Sequence, residues 1–296
     1  MKTALCTIST KSHLFKSFTL LESVSEFSQT DLFCLITDSS ETFEHSKFNF
    51  HWLKDLKSDS AEKLIKKYKD DELRWSLKPV YIKFLLEQGY DKVIYVDNDI
   101  FFYSSPDFLF DKLDQNRFLL TPHFYPANPQ KNQNWLEANF RVGLYNAGFI
   151  GANKDAIPIL EWWADCCYYN TKKAYWRGLY DDQKYLDLIP VIFENVEVIK
   201  HRGCNFAGWN CDVIDLKKDK EKLFIKNDEL VFIHFAKLSM ERFSTSDSIV
   251  HDAFRQYTES LQKEKPGFEF RIKKYTLSSF STYFYYLRWR FSRLLE

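Results

Sequence analysis

The chain has 296 residues, enough for one large domain or two smaller ones, and its 45% hydrophobic and 28% charged residues are the balance of a globular protein. The formal net charge is zero, which argues against bulk nucleic-acid binding. No stretch approaches the roughly 20 apolar residues of a membrane span. Cys6, Cys34, Cys166, Cys167, Cys204 and Cys211 form no CxxC pair and no zinc-like spacing. Scattered thiols, two of them in expected core strands, fit a reducing compartment, and "MKTALCTIST" has no apolar h-region. The expectation is a cytoplasmic protein.

In chain order, "TALCTIS" (3–9) predicts a buried first strand. "HLFKSFTLLESVSEF" (13–27) has helical spacing, with Leu14, Phe18, Leu21, Val24 and Phe27 near one face. "DLFCLITD" predicts a second strand ending at Asp38, and "FNFHWL" (48–53) a third. Residues 58–70 predict a polar helix. Residues 73–90 predict another, restarting or kinking at Pro79 and ending at Gly89. "KVIYV" (92–96) is a strand again. This alternation predicts an α/β fold with a largely parallel sheet, whose ligands bind beyond the carboxyl ends of the strands.

Beyond residue 100, strands are expected at 118–124 and 144–152, with a Pro- and Asn-rich loop at 125–133. Helices are expected at 134–141, 155–169 and 181–189. Residues 223–235 read as a hairpin turning at Asn227-Asp228. The boundaries predicted are one main domain over 1–265 and a basic, aromatic helical tail over 266–296. That tail carries Arg271, Lys273, Lys274, Arg288, Arg290 and Arg293. Such a segment can lie on an anionic membrane surface, or pack as a terminal helix on the domain or on a second subunit.

The chemistry begins at Asp97-Asn98-Asp99. Two carboxylates close an apolar strand, and burying like charges without a partner is costly. A divalent cation would neutralise them, since hard oxygen ligands suit magnesium or manganese. A DxD also occurs in ordinary turns. His234, on a late strand, is an available third ligand or a satisfied core histidine. Asn146, Ala147 and Gly148 allow close approach of a ligand to backbone, or form a simple β-bulge. Asp182 and Gln183 open an expected helix, where a carboxylate can be ordinary capping.

Taken in order, DxD, "NAG", "DQ" and a late "HF" resemble family 8 and related retaining glycosyltransferases of the GT-A type. The chain is also similar to bacterial glycosyltransferases found with surface-polysaccharide genes, through "LLTPHF", "LYNAGFIG", "EWW", "GLYDDQKYLDLIP", "GCNFAGWN" and "VFIHFA". The likeness spans roughly residues 74 to 240. It implies a Rossmann-like GT-A fold with a mixed, mainly parallel sheet flanked by helices. It implies sugar transfer from a nucleotide sugar, UDP-linked by resemblance, to a glycan or lipid-linked acceptor in surface polysaccharide or lipopolysaccharide synthesis, with retention. Location would be cytoplasmic, with peripheral contact at the inner face of the membrane through the tail.

Carried onto this sequence, the resemblance gives Asp97, Asp99 and His234 a manganese (or magnesium) ion. Thr7, Ser9, Asp38 and Asn98 would line the nucleotide pocket. Lys78 and Arg74 would reach the phosphates or donor sugar. Asn146, Ala147, Asp182 and Gln183 would surround that sugar, with Asp182 nearest the anomeric carbon. His123, Asn205, Trp209 and Asn210 would form a sugar or acceptor wall. The sequence departs after the metal histidine: the family carries a glycine and then a diphosphate-binding lysine, whereas here Ala236 and Lys237 follow and Met240 stands where that lysine is expected, so Lys237 would have to substitute with different spacing. Two alternatives stay open. One is a dehalogenase-type phosphatase using the same DxD, although its GDxxxD is missing. The other is a GT-A-like module that binds without catalysing.

Overall fold

The computed structural model describes residues 1–212, 216–246 and 249–270. Of the expected helical tail over 266–296, residues 266–270 are turn and irregular chain, and 271–296 lie outside the described residues. The chain opens with β1 (Thr3–Ser9), α1 (Leu14–Ser25), β2 (Asp31–Ile36), β3 (Asn49–Trp52), α2 (Asp59–Lys67), α3 (Asp70–Ser76), α4 (Lys78–Glu87) and β4 (Lys92–Val96). There follow β5 (Ile100–Phe102), α5 (Asp107–Lys112), β6 (Phe118–Pro122), α6 (Gln133–Arg141), β7 (Tyr145–Asn153), α7 (Ile157–Tyr169), α8 (Ile189–Ile192) and β8 (Val196–Val198). The last part holds β9 (Phe206–Ala207), β10 (Leu216–Asp219), β11 (Lys222–Ile225), β12 (Asp228–Glu229), β13 (Phe232–His234), α9 (Lys237–Phe243) and α10 (Ile249–Glu264).

Seven strands form the central sheet in the order β3-β2-β1-β4-β7-β6-β8. β3, β2, β1 and β4 run parallel, whereas β7 is antiparallel to both β4 and β6. The central strands are covered on both faces, and their sequences are accordingly near-continuous apolar runs. One core, including Leu64, Leu85, Leu160 and Trp163, is built with α2, α4 and α7. The other, including Leu20, Val24 and Leu109, is built with α1 and α5. A third cluster joins β13 to α9 and α10 through Ile233, Phe243 and Tyr257.

The helix ends follow local chemistry. Ser58 caps α2, its side chain accepting from the Ala61 N–H at 3.2 Å. The stretch 73–90 is two helices, and the second starts at Lys78 with Pro79 in its first turn, where the missing N–H costs nothing. Gly89, at φ +96°, follows that helix in the left-handed region that favours glycine.

Three expectations need correction. Residues 181–189 are not an α-helix: Asp181 has φ 39°, a 3-10 turn runs over Lys184–Leu188, and only the short α8 follows. The hairpin turns at Lys226-Asn227, since Ile225 pairs with Asp228 and Lys226 takes φ 57°. Its return strand ends at Glu229, and β13 leaves to pair with β5 and β9 in a separate sheet. β10, paired with β11, was not anticipated because "LKKD" lacks a strand's apolar alternation.

The crossing that leads into β13 is tight. The Gly203 carbonyl accepts from the Val231 and Phe232 N–H groups at 2.9 and 3.1 Å. A Cβ on Gly203 would lie 1.9 Å from the Glu229 carbonyl oxygen. Gly203→Ala is therefore expected to lower the unfolding free energy by about 2 kcal/mol or more, read by urea denaturation. An unchanged midpoint would show that this crossing yields.

Candidate functional site

The three expected metal ligands meet because of one strand pairing. The Asp97 N–H donates to the Gly148 carbonyl at 2.9 Å, and the Ile100 N–H donates to the Asp97 carbonyl at 3.1 Å, closing a turn that carries Asn98 and Asp99. β5 then runs antiparallel to β13 with Ile100 opposite His234. The Phe235 N–H donates to the Asp99 carbonyl at 2.7 Å. Ligand atoms of Asp97, Asp99 and His234 consequently lie within 4.8 Å of one another. Two carboxylates and an imidazole at this spacing suit manganese or magnesium.

His234 Nε2 is 3.0 Å from Asp99 Oδ1. Burial alone would favour the neutral form of each. Their opposite charges outweigh it, so the His234 pKa is raised and the Asp99 carboxyl is held well below the usual carboxylate range. His234 Nδ1 is buried without a hydrogen-bond partner. Gly148 lies against that ring, and a Cβ there would fall 2.5 Å from His234 Cε1 and 2.5 Å from Asn146 Oδ1. The glycine of "NAG" is thus a matter of space. β7 also parts from β6 here: Leu120 pairs with Ile150 and the next residue, Thr121, with Asn146. The bulge and the close approach are one feature.

Lys78 is the second organiser. Its Nζ lies 3.2 Å from Asp97 Oδ1 and 3.2 Å from Asp182 Oδ2, and donates to the Ala147 carbonyl at 3.1 Å. Burial works against the ammonium, and Asp182 and Asp97 more than offset it, so its pKa is raised. Burial pushes the Asp182 carboxyl up to about 8, with Asp181 and Asp97 adding to the rise against Lys78. The backbone of Asp182 is pinned by the second Trp of "EWW": Trp163 Nε1–H donates to the Asp182 carbonyl at 2.8 Å. Gln183 Nε2 donates to the Val142 carbonyl at 3.2 Å.

A buried polar wall adjoins. Asn146 Nδ2 lies 3.2 Å from His123 Nε2, and burial pushes the His123 pKa down to about 3, so this ring is neutral. Asn205, at φ 67°, donates to the Pro122 carbonyl at 3.0 Å. Asn210 donates to the His123 and Asn205 carbonyls, each at 2.9 Å. His123 Nδ1, Asn205 Oδ1 and Trp209 Nε1 are buried without partners. Unsatisfied atoms of this kind in one wall are what a polyhydroxylated ligand could satisfy.

The nucleotide-pocket residues are less uniform. Ser9 Oγ accepts from Asn98 Nδ2 at 3.1 Å. Thr7 is fully buried with its hydroxyl unpartnered, and does not line the open cleft beside the DxD. Asp38 is exposed and accepts from the Lys11 N–H at 2.7 Å. Lys237 is largely exposed at the start of α9, its Nζ 3.7 Å from Glu241 Oε1, and also lies outside that cleft. Arg74 lines the cleft, beside its partner Asp71.

The cleft encloses about 240 Å3 and adds residues that sequence reasoning missed: Thr10, His13, Lys16, Trp75 and Tyr95. Tyr95 was legible, since its hydroxyl donates to Asp97 Oδ1 at 2.7 Å from two positions earlier on the same strand face. His13 and Lys16 carried no signal beyond an unremarkable amphipathic helix. A larger groove of about 1110 Å3 beside α10 contains none of the predicted site residues, so size alone does not mark the chemistry.

No protein-family model matches the chain. The chain is 26% identical over 298 residues to the uncharacterized protein YfnF of Bacillus subtilis (strain 168), covering 90% of this chain and 98% of that protein. It is 26% identical over 246 residues to YfnD of the same organism, covering 79% and 77%. Among solved structures it superposes on the galactosyltransferase LgtC, determined with donor and acceptor sugar analogs, with a TM-score of 0.56 at 12% identity, covering 88% of this chain and 95% of that one. The bifunctional glycosyltransferase WbbM gives 0.52 at 13% identity, covering 88% of this chain and 49% of that one. These likenesses define the fold as GT-A.

Two predictions follow from the charges. Lys78→Met is expected to cost about 3 kcal/mol by leaving buried carboxylates uncompensated, and adding Asp182→Asn should recover part of it; strictly additive urea denaturation results would show no coupling. The second concerns the metal-free protein, in chelator. The raised His234 pKa stabilises fully below its unfolded value and fades as pH rises through the folded one. The lowered Asp99 pKa stabilises fully above its unfolded value and fades as pH falls through the folded one. The loss caused by Asp99→Asn should therefore be greatest between about pH 4 and 6.5. A loss that is flat from acid to alkaline pH would refute the pairing.

Proposed function

We propose that the protein is a metal-dependent glycosyltransferase that moves a sugar from a nucleotide sugar, with UDP the first candidate, to a glycan or lipid-linked acceptor in surface polysaccharide or lipopolysaccharide synthesis. The observation that carries this reading is the convergence of Asp97, Asp99 and His234 beyond the end of β4 in a GT-A fold. These three residues would hold manganese or magnesium, which when bound supplies Lewis-acid stabilisation of charge on the departing diphosphate. Lys16 and Arg74 line the same cleft and add positive charge for that diphosphate, while burial and these two cations lower the His13 pKa and favour its neutral ring. LgtC and WbbM, glycosyltransferases by name, support the assignment to sugar transfer.

The residues of this chain divide the remaining work. Lys78 fixes Asp182 against Ala147 and the DxD, so the carboxyl nearest the expected anomeric carbon is held in place. Burial, with Asp181 and Asp97, pushes the Asp182 pKa up to about 8, near enough to neutral pH for it to serve as a general base. Gln183 cannot act as one. Retention, which the family resemblance implies, would need only positioning and leaving-group stabilisation. The unpartnered atoms of His123, Asn205 and Trp209 are the groups available to sugar hydroxyls. The phosphatase alternative needs a free nucleophile at Asp97, yet Asp97 Oδ1 faces both the Tyr95 hydroxyl and the Lys78 ammonium.

The test is thermal unfolding with UDP, GDP, CMP or ADP, each with and without manganese, for the protein and for Asp99→Asn. A ligand present at a hundred times its Kd adds about 2.7 kcal/mol of stability, so a bound nucleotide must raise Tm. One nucleotide should do so only with manganese, and the variant should lose the effect. No shift with any nucleotide would overturn the donor site. A shift without hydrolysis of any donor sugar would leave the binding-module alternative instead.

A further inference from the structure

The large apolar side chains left in water are not scattered. Among the described residues, all the exposed ones except Met1 and Phe27 fall in segments 140–144, 168–176 and 188–192. These segments adjoin around the 3-10 turn over Lys184–Leu188. The Leu144 N–H donates to Asp187 Oδ1 at 2.8 Å, and the Tyr185 hydroxyl donates to the Asn170 carbonyl at 2.7 Å. Trp176 is 88% exposed, Val191 81% and Tyr169 62%. Single exposed side chains of this kind are ordinary, but a gathering of them marks a docking face.

The charges around these rings point to what docks. Residues 168–179 contain Lys172, Lys173 and Arg177 and no aspartate or glutamate. Lys67 joins them from the end of α2, its Nζ 4.6 Å from the centre of the Tyr168 ring. The Arg177 guanidinium lies 5.5 Å from the Tyr169 ring centre and 5.8 Å from that of Trp176. Protein interfaces are depleted in lysine at their centres. Tryptophan and tyrosine rings interleaved with lysine and arginine are instead the chemistry of a lipid headgroup layer, where rings sit at the interface and cations meet lipid phosphates.

We propose that this face, centred on Tyr169, Trp176 and Arg177, rests on an anionic phospholipid surface. The assignment does not depend on the activity proposed above, and it concerns a surface separate from the C-terminal tail, for which the sequence offered a membrane contact or a packed terminal helix. Its place in the fold gives it consequence. Lys173 Nζ lies 4.5 Å from the Tyr180 ring centre and 5.0 Å from that of Trp75, and Trp75 lines the DxD cleft. A face seated on lipid would hold the cleft close to a substrate anchored in that surface.

The experiment is co-sedimentation of the full chain with phosphatidylcholine vesicles, with and without phosphatidylglycerol. Two exposed-surface double variants are compared: Tyr169→Ser with Trp176→Ser, and Lys172→Glu with Arg177→Glu. Unchanged melting temperatures would confirm that each is folded. The intact chain should bind the phosphatidylglycerol vesicles and release in salt, and each double variant should bind about tenfold more weakly. Failure of the intact chain to bind, or undiminished binding by both variants, would overturn the assignment. So would a change of oligomeric state in the serine variant with lipid binding intact, which would make the face a contact between copies.

Discussion

Four carboxylates converge at the end of β4, and the fold depends on how they are compensated. Asp97, Asp99, Asp181 and Asp182 come from two turns far apart in sequence, and left alone they would repel in a partly buried setting. Lys78 stands between Asp97 and Asp182, and His234 stands against Asp99. Lys173 approaches Asp181 at 3.6 Å. Three cations therefore serve the four carboxylates, Lys78 being shared by Asp97 and Asp182, and each cation comes from a different element. That arrangement locks α4, β13 and the loop after α7 to the DxD turn.

Apolar packing fixes where those cations can sit. Trp163, fully buried in α7, reaches across to the Asp182 carbonyl, so losing this ring would open a core cavity and release the carboxylate together, with a packing cost alone of about 3–5 kcal/mol. Gly148 leaves the space that the His234 ring fills, and Gly203 admits the strand that carries it. The residues that look least chemical in the sequence are thus the ones that set the site's geometry.

Much of this was legible and some was not, for physical reasons. Parallel strands buried on both faces write themselves as apolar runs, so β1, β2 and β4 and the carboxyl-end position of Asp97 could be read directly. The grouping of DxD, "NAG", "DQ" and "HF" was expected only through the family resemblance, because it depends on pairings between strands far apart in the chain, such as β5 with β13. What failed was where tertiary contacts override local preference. Asp182 and Gln183 carry helix-start chemistry, yet the ion pairs of Asp181 and Asp182 and the Trp163 contact hold this stretch in a turn. Lys237 follows His234 by three residues, but α9 begins there and turns it toward Glu241. His13 and Lys16 border the cleft only because α1 packs beside the carboxyl ends of the strands, which no spacing in α1 reveals.

The charge count also constrains how the proposed reaction would begin. Asp97 and Asp99 already have cationic partners before any ion enters: Lys78, which Asp182 shares, and His234. A divalent ion placed among them would add positive charge to a cleft whose wall already carries Lys16 and Arg74. A nucleoside diphosphate supplies the compensating negative charge. Under the proposed function the ion and the diphosphate are therefore electrostatically coupled, each binding more favourably with the other present than alone. The raised pKa of His234 sharpens that coupling, since an imidazole must give up its proton before it can bind a metal. The pairing that holds the site together without an ion is the same pairing an ion must displace.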